Sequence, residues 1–154
     1  MLRISRLTDY ATVLLARLAA DPARQYTAAE LAQHTRISQP TVSKLLKQLH
    51  RSGLVSSTRG LRGGYRLARP AGDISAAHIL DALEGPLALT ECSRRQSQCG
   101  IEQSCRTGRA WQRVSLAIRR SLEAITLLEL SGLDAQPVRF AALERQLAAR
   151  RLAP

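Results

Sequence analysis

Three cysteines, Cys92, Cys99 and Cys105, are the full thiol complement of the 154-residue chain, arranged as Cys-x6-Cys-x5-Cys. A thiolate is both a nucleophile and a metal ligand, so such a group can bind a metal or sense oxidants as free thiols. An odd number of cysteines confined to one short segment does not build a disulfide framework. Structural zinc sites favour cysteine pairs two to four residues apart, closer than these. The intervening Ser-Arg-Arg-Gln-Ser-Gln at 93–98 is polar and reads as a loop, which argues against three small core residues. Arg94, Arg95 and Arg106 border the thiolates, and metal binding would relieve their mutual repulsion. Spacing leaves metal ligation, thiol redox sensing and a structural role all open, with metal ligation the leading choice.

A second set of residues points to a polyanion. The chain has 23 Lys and Arg against 12 Asp and Glu, a net charge of +11 and a pI near 11.1. From Leu31 to Gly72 there is no acid, but there are eight bases: Arg36, Lys44, Lys47, Arg51, Arg59, Arg62, Arg66 and Arg69. Such a stretch suits phosphate neutralisation by a DNA-binding unit.

The elements that would position these groups are legible from periodicity and caps. Leu7, Tyr10, Ala11, Leu14, Leu15 and Leu18 predict a helix over 5–20, ended by Asp21-Pro22. Thr27-Ala-Ala-Glu30 is a capping box for a short second helix to His34. Ser38 reads as the N-cap of a third helix, with Pro40 in its first turn and Gly53 past its end. Strands at 54–57 and 65–67 flank a turn containing Gly60, Gly63 and Gly64. This order is that of a winged helix-turn-helix. A helix over 75–83, the cysteine loop and a long helix follow. The long helix carries an apolar stripe at Trp111, Val114, Ile118, Leu122, Ile125 and Leu128 that requires a partner. The expected class is mainly α: a winged helix-turn-helix DNA-binding domain with a two-stranded wing and a long dimerisation helix. The expected divisions are 1–72 for DNA binding, 73–108 for the connecting helix and cysteine loop, 109–133 for dimerisation and 134–154 for an Ala/Arg-rich tail. In that tail Phe140, Leu143 and Leu147 repeat at helical spacing.

In this architecture the third helix enters the major groove of double-stranded DNA. Its candidate contacts are Ser38, Gln39, Thr41, Ser43, Lys44 and Lys47. Arg59 and Arg62 in the wing suit phosphate or minor-groove contact. No stretch approaches the roughly 18 apolar residues of a membrane span, and the first ten residues lack a signal-peptide core. A cytoplasmic location with reduced thiols is expected. No nucleophile is paired with an oriented base and no glycine loop precedes a helix for phosphate binding, so an enzyme is not expected. A small electron carrier would not explain the acid-free helix and wing.

Leu-Thr-Asp-Tyr-Ala at 7–11, Ser-Gly-Leu-Val-Ser-Ser-x-Arg-Gly at 52–60, Gly-Gly-Tyr at 63–65 and the three-cysteine loop before a long helix together resemble the Rrf2 family. These are winged-helix regulators of the IscR and NsrR type, and the likeness covers about residues 1–130. The resemblance implies a homodimer joined through the long helix and a near-palindromic DNA site. It also implies an iron–sulfur cluster, 2Fe-2S or 4Fe-4S, on Cys92, Cys99 and Cys105. The subgroup it most resembles regulates Suf iron–sulfur assembly genes, usually as a repressor; nitric-oxide sensing is the rival role, and a zinc- or thiol-based redox regulator another. Two features depart from the pattern. The first cysteine gap is one residue longer than the common one, and Gly108 stands where two-iron members place a histidine. That leaves a fourth ligand to assign. Asp9 resembles the aspartate that ligates the cluster across the dimer in the NsrR type, with Glu91 and Glu102 as rivals. His34, His50 and His78 are read as structural.

Overall fold

The computed structural model describes residues 3–60, 63–93, 99–100 and 105–134. Helix α1 spans Arg6–Ala20, and its N-cap Ser5 accepts the Thr8 amide through Oγ at 3.2 Å. Its inward side is Thr8, Ala11, Leu14, Leu15 and Leu18. Helix α2, Ala28–Thr35, starts on the expected capping box, with Thr27 Oγ1 accepting the Glu30 amide and Glu30 Oε2 accepting the Thr27 amide at 2.7 Å. That amide, the Thr27 hydroxyl and Arg24 hold the Glu30 carboxyl down to about 2. Arg36 ends α2 in the left-handed region at φ 57°, turning the chain abruptly toward α3, Gln39–Arg51. Ser38 takes the N-cap position of α3 without a side-chain cap bond, pairing its hydroxyl instead with that of Thr41 at 2.8 Å. Gly53, at φ 72°, lets the chain leave α3 in a conformation that other residues resist.

Strands β1, Val55–Thr58, and β2, Gly64–Leu67, pair antiparallel with Val55 opposite Leu67 and Ser57 opposite Tyr65. Tyr26 adds a third rung: its amide donates to the Tyr65 carbonyl at 2.9 Å and its carbonyl accepts the Tyr65 amide at 2.8 Å. Gly64 permits this approach, since a Cβ there would lie 2.8 Å from the Tyr26 carbonyl oxygen. The wing is thereby fastened to the segment that precedes α2.

Helix α4 spans Ala76–Leu83 and α5 spans Arg106–Glu123. The long helix stops earlier than its apolar stripe predicts. Thr126 and Glu129 form a further capping box that opens a separate short helix α6, Leu127–Leu130. Between α5 and α6 the chain pairs with the residues entering α4, the Ala76 amide donating to the Ile125 carbonyl at 2.8 Å and the Leu127 amide to the Ile74 carbonyl at 2.6 Å. Of the expected stripe, Ile125 is consequently buried within its own chain, beside Leu127, whereas Leu128 stays exposed on α6.

The core is leucine-rich and shared. Leu14, Leu15 and Leu18 of α1, Leu31 of α2, Val42, Leu45, Leu46 and Leu49 of α3, Ile79 of α4 and Leu127 of α6 form one cluster with Tyr26. Each such side chain stabilises the fold by about 1.5–3 kcal/mol relative to exposure. This cluster crosses residue 72, so α4 and α6 are packed as firmly on the winged helix as its own helices are on each other.

Candidate nucleic-acid interface and cysteine site

Helix α3 has two opposed sides. Val42, Leu45, Leu46 and Leu49 are buried, while Ser38, Gln39, Lys44 and Lys47 are exposed and Thr41 and Ser43 are half-buried at its opening turns. The side that packing leaves free is therefore the polar and basic one. Arg59 is exposed just past β1, where Gly60 at φ 114° begins the turn and the Gly63 amide donates to the Gly60 carbonyl at 2.9 Å. Arg62 lies outside the described residues. Arg36, Arg51 and Arg66 are exposed as well, and no carboxylate of the 31–72 segment offsets them. Gln48 departs from this side: its Nε2 donates to the carbonyls of Ala82 and Leu83 at 3.1 and 3.3 Å, joining α3 to the end of α4.

The cysteine segment is built against the first turns of α5. Cys92 is buried in a short 3-10 turn, Glu91–Ser93, with its sulfur 3.2 Å from Thr90 Oγ1. Cys105 is the N-cap of α5, its sulfur accepting the Gly108 amide at 3.2 Å. Gly108 brings the two together: a Cβ there would stand 3.2 Å from the Cys92 sulfur and 3.5 Å from the Cys105 sulfur. Both sulfurs thus face one bare patch of helix backbone. Cys99 is half-buried. Among the described residues no group of three or more Cys, His, Asp and Glu is gathered closely enough to hold a metal ion; two of the three sulfurs converge.

The other expected ligands are placed as follows. Asp9 is exposed in the first turn of α1, a helix that packs on α2, α3, α4, α6 and β2. Glu91 is exposed beside Cys92, and Glu102 lies outside the described residues. The histidines have structural contacts. His50 Nδ1 meets the Val55 carbonyl at 3.0 Å, His78 Nδ1 accepts the Ser75 amide at 3.1 Å as part of the α4 cap, and His34 stands edge-on to Tyr26.

Helix α5 inverts the usual arrangement of a packed helix. The side facing its own chain is small or polar: Gly108, then Gln112 donating to the Cys92 carbonyl at 2.6 Å, Ser115 Oγ accepting the Leu89 amide at 3.3 Å, and Arg119. Arg119 makes a bidentate pair with Asp81 at 3.0 and 2.7 Å. The large apolar residues point elsewhere: Trp111, Val114 and Leu116 are 44%, 42% and 54% exposed, and Ile118 and Leu122 half-buried. Sequence reasoning missed Gln48, Gln112 and Tyr26. Only Gly108 carried a local signal, a glycine in the first turn of a helix three residues after a cysteine.

Comparison with known proteins agrees with this architecture. Residues 4–132 match the Rrf2 family model, described as an iron-dependent transcriptional regulator. The chain is 31% identical over 130 residues to protein rrf2 of Nitratidesulfovibrio vulgaris, covering 84% of this chain and 87% of that one. Among solved structures it is similar to CymR, the global cysteine regulator of B. subtilis, with a TM-score of 0.66 and 27% identity over 87% of this chain and 99% of that one. It is also similar to IscR of T. potens, with a TM-score of 0.62 and 28% identity over 90% and 93% of the two chains. The chain is a winged-helix transcription regulator, not an enzyme, and belongs to the Rrf2 family.

Proposed function

We propose that this regulator is a cytoplasmic homodimer that represses transcription under the control of an iron–sulfur cluster held by Cys92, Cys99 and Cys105. Its targets on this reading are genes of iron–sulfur cluster assembly or a related stress response. The observation that carries the reading is the convergence of the Cys92 and Cys105 sulfurs on the Cβ-free surface of Gly108. A bound cluster would supply a group whose presence or oxidation state changes with iron supply or oxidants. The chain's own part is to hold Cys92 beneath α5 through Gln112 and to seat the Cys105 sulfur on the Gly108 amide at the start of α5. Asp9 is the proposed fourth ligand, contributed from the other subunit.

DNA recognition on this reading falls to Ser38, Gln39, Thr41, Ser43, Lys44 and Lys47 of α3 in the major groove, with Arg59 and Arg62 on the flanking backbone or minor groove. The outward side of α5, Trp111, Val114, Ile118 and Leu122, is the proposed dimer seam, because it is too apolar to stand in water unpartnered. A ligand shifts such a dimer only through different affinities for its two states. The test is iron and acid-labile sulfide per chain after anaerobic purification, with Cys92→Ser, Cys99→Ser and Cys105→Ser as controls. Sulfide equal to iron in the parent and lost in the variants supports the cluster.

A second reading has its own support. The Cys105 sulfur stands at the start of α5 and accepts the Gly108 amide, and the likeness to CymR fits thiol-based control. Absence of iron and sulfide, together with DNA binding that is lost and regained on thiol oxidation and reduction, would favour it.

A further inference from the structure

We propose that Gln48 is the positioning residue through which the cysteine segment acts on the recognition helix. This rests on the reading that the cysteines control DNA binding. Three joints connect the two regions, each a directional polar contact. At the first, Gln112 donates to the Cys92 carbonyl and Ser115 accepts the Leu89 amide, binding the cysteine segment to α5. At the second, the Arg119–Asp81 pair binds α5 to α4. At the third, the Gln48 amide donates to Ala82 and Leu83, binding α4 to α3.

The chemistry of each joint matters to what it transmits. Ala82 and Leu83 belong to the last turn of α4, whose carbonyls have no acceptor role left inside the helix. A single amide shared between them fixes the register of α3 against that end. Hydrogen bonds weaken steeply with misalignment, whereas packed helices accommodate small shear along their apolar contacts. The side of α5 toward its own chain is small and polar from Gly108 through Arg119, so little apolar packing pins this helix. A shift of α5 that follows the state of Cys92 and Cys105 therefore moves α4 through Asp81 and reaches α3 at Gln48. Lys44 and Lys47, both exposed on α3, lie four residues and one residue before Gln48.

Coupling between two sites is reciprocal, so DNA must alter the cysteines if the cysteines alter DNA binding. The experiment uses full-length, cluster-free protein and measures the rate of iodoacetamide labelling at Cys92 and Cys105. Labelling is followed with a duplex from its own promoter and with an unrelated duplex of the same length. We expect the promoter duplex to change the parental rate by about fivefold or more, within the usual range of allosteric coupling. Gln48→Met, which keeps the bulk and removes the donor, should reduce that change below about twofold at saturating DNA. Arg119→Met, which breaks a different joint, should do the same. Gln48→Lys, which restores a donor to the α4 carbonyls, should recover it. A Gln48→Met protein with the full parental change overturns the proposal, and so does a parent whose labelling ignores promoter DNA. A parent that assembles no cluster but shows the Gln48-dependent change supports the joint while removing the cluster from the account.

Discussion

A Cβ at Gly108 would stand 3.2 Å from the Cys92 sulfur, inside ordinary van der Waals contact. The first turn of α5 thus makes room for a cysteine that comes from a separate turn of the chain. Gly108→Ala should separate stability from cluster binding. Removing a helical glycine stabilises by about 0.5–1 kcal/mol, while the new methyl displaces the Cys92 sulfur by a few tenths of an ångström. The melting temperature should stay level or rise, and the cluster loss rate under air should increase several-fold. Loss followed by visible absorption beside a thermal melt checks both arms.

Asp9 is exposed on α1, and the same end of α1 is held to the end of α4. Thr8 Oγ1 donates to Glu84 Oε1 at 2.6 Å, and the Ser5 amide donates to the same oxygen at 2.9 Å. These bonds, the hydroxyl first, hold the Glu84 carboxyl below its ordinary range. Asp9→Ala should change the cluster absorption and shorten its lifetime, whereas Glu91→Ala should leave both near parental values. An unaltered Asp9→Ala spectrum and lifetime would assign the fourth ligand to another group.

Affinity for promoter DNA should fall steeply with salt, since the proposed interface sets several basic side chains against phosphates at once. For each phosphate contact removed, the slope of log K against log salt decreases by about 0.9. Lys44→Ala and Arg59→Ala should each lower the slope by about that amount. Gln39→Ala should instead leave the slope alone and cost about 1–3 kcal/mol on specific sites, as expected of a base contact. Titrations at four salt concentrations distinguish the two classes.

Ile118→Glu places a charge on the outward side of α5 beside Trp111 and Val114. The variant should sediment as a monomer and lose tight binding to promoter DNA, since two half-sites about one helical turn apart can no longer be held together. Its circular dichroism should remain near parental, because the core lies elsewhere in Leu14, Leu45, Leu46 and Leu127. A dimeric Ile118→Glu protein would put the seam on another surface.

Much of the fold was readable because its signals are local. The Thr27–Glu30 box, Pro40 in the first turn of α3, Gly53 past its end and the glycines of the wing each act within a few residues. The end of α5 is not legible from spacing for a related reason. The apolar spacing runs on from Leu122 through Ile125, while Thr126 and Glu129 restart the helix in a new direction. Whether Ile125 faces out or in depends on the pairing of Ile125 with Ala76 and of Leu127 with Ile74, distant in sequence. The same limit applies to the site. The clustering of cysteines was visible, but the joint approach of two sulfurs to Gly108 and the reach of Gln48 to α4 depend on tertiary placement. No spacing rule encodes either.

The most direct test of cluster-controlled DNA binding is the dissociation constant for a promoter duplex at one fixed salt concentration. It should be measured anaerobically for the cluster-loaded protein, for the same protein after the cluster is stripped, and for Cys92→Ser/Cys99→Ser/Cys105→Ser. The account predicts that the loaded form differs from the stripped form by about fivefold or more, within the range of known couplings, and that the triple variant matches the stripped form whatever iron is supplied. Equal dissociation constants for loaded and stripped protein would contradict it.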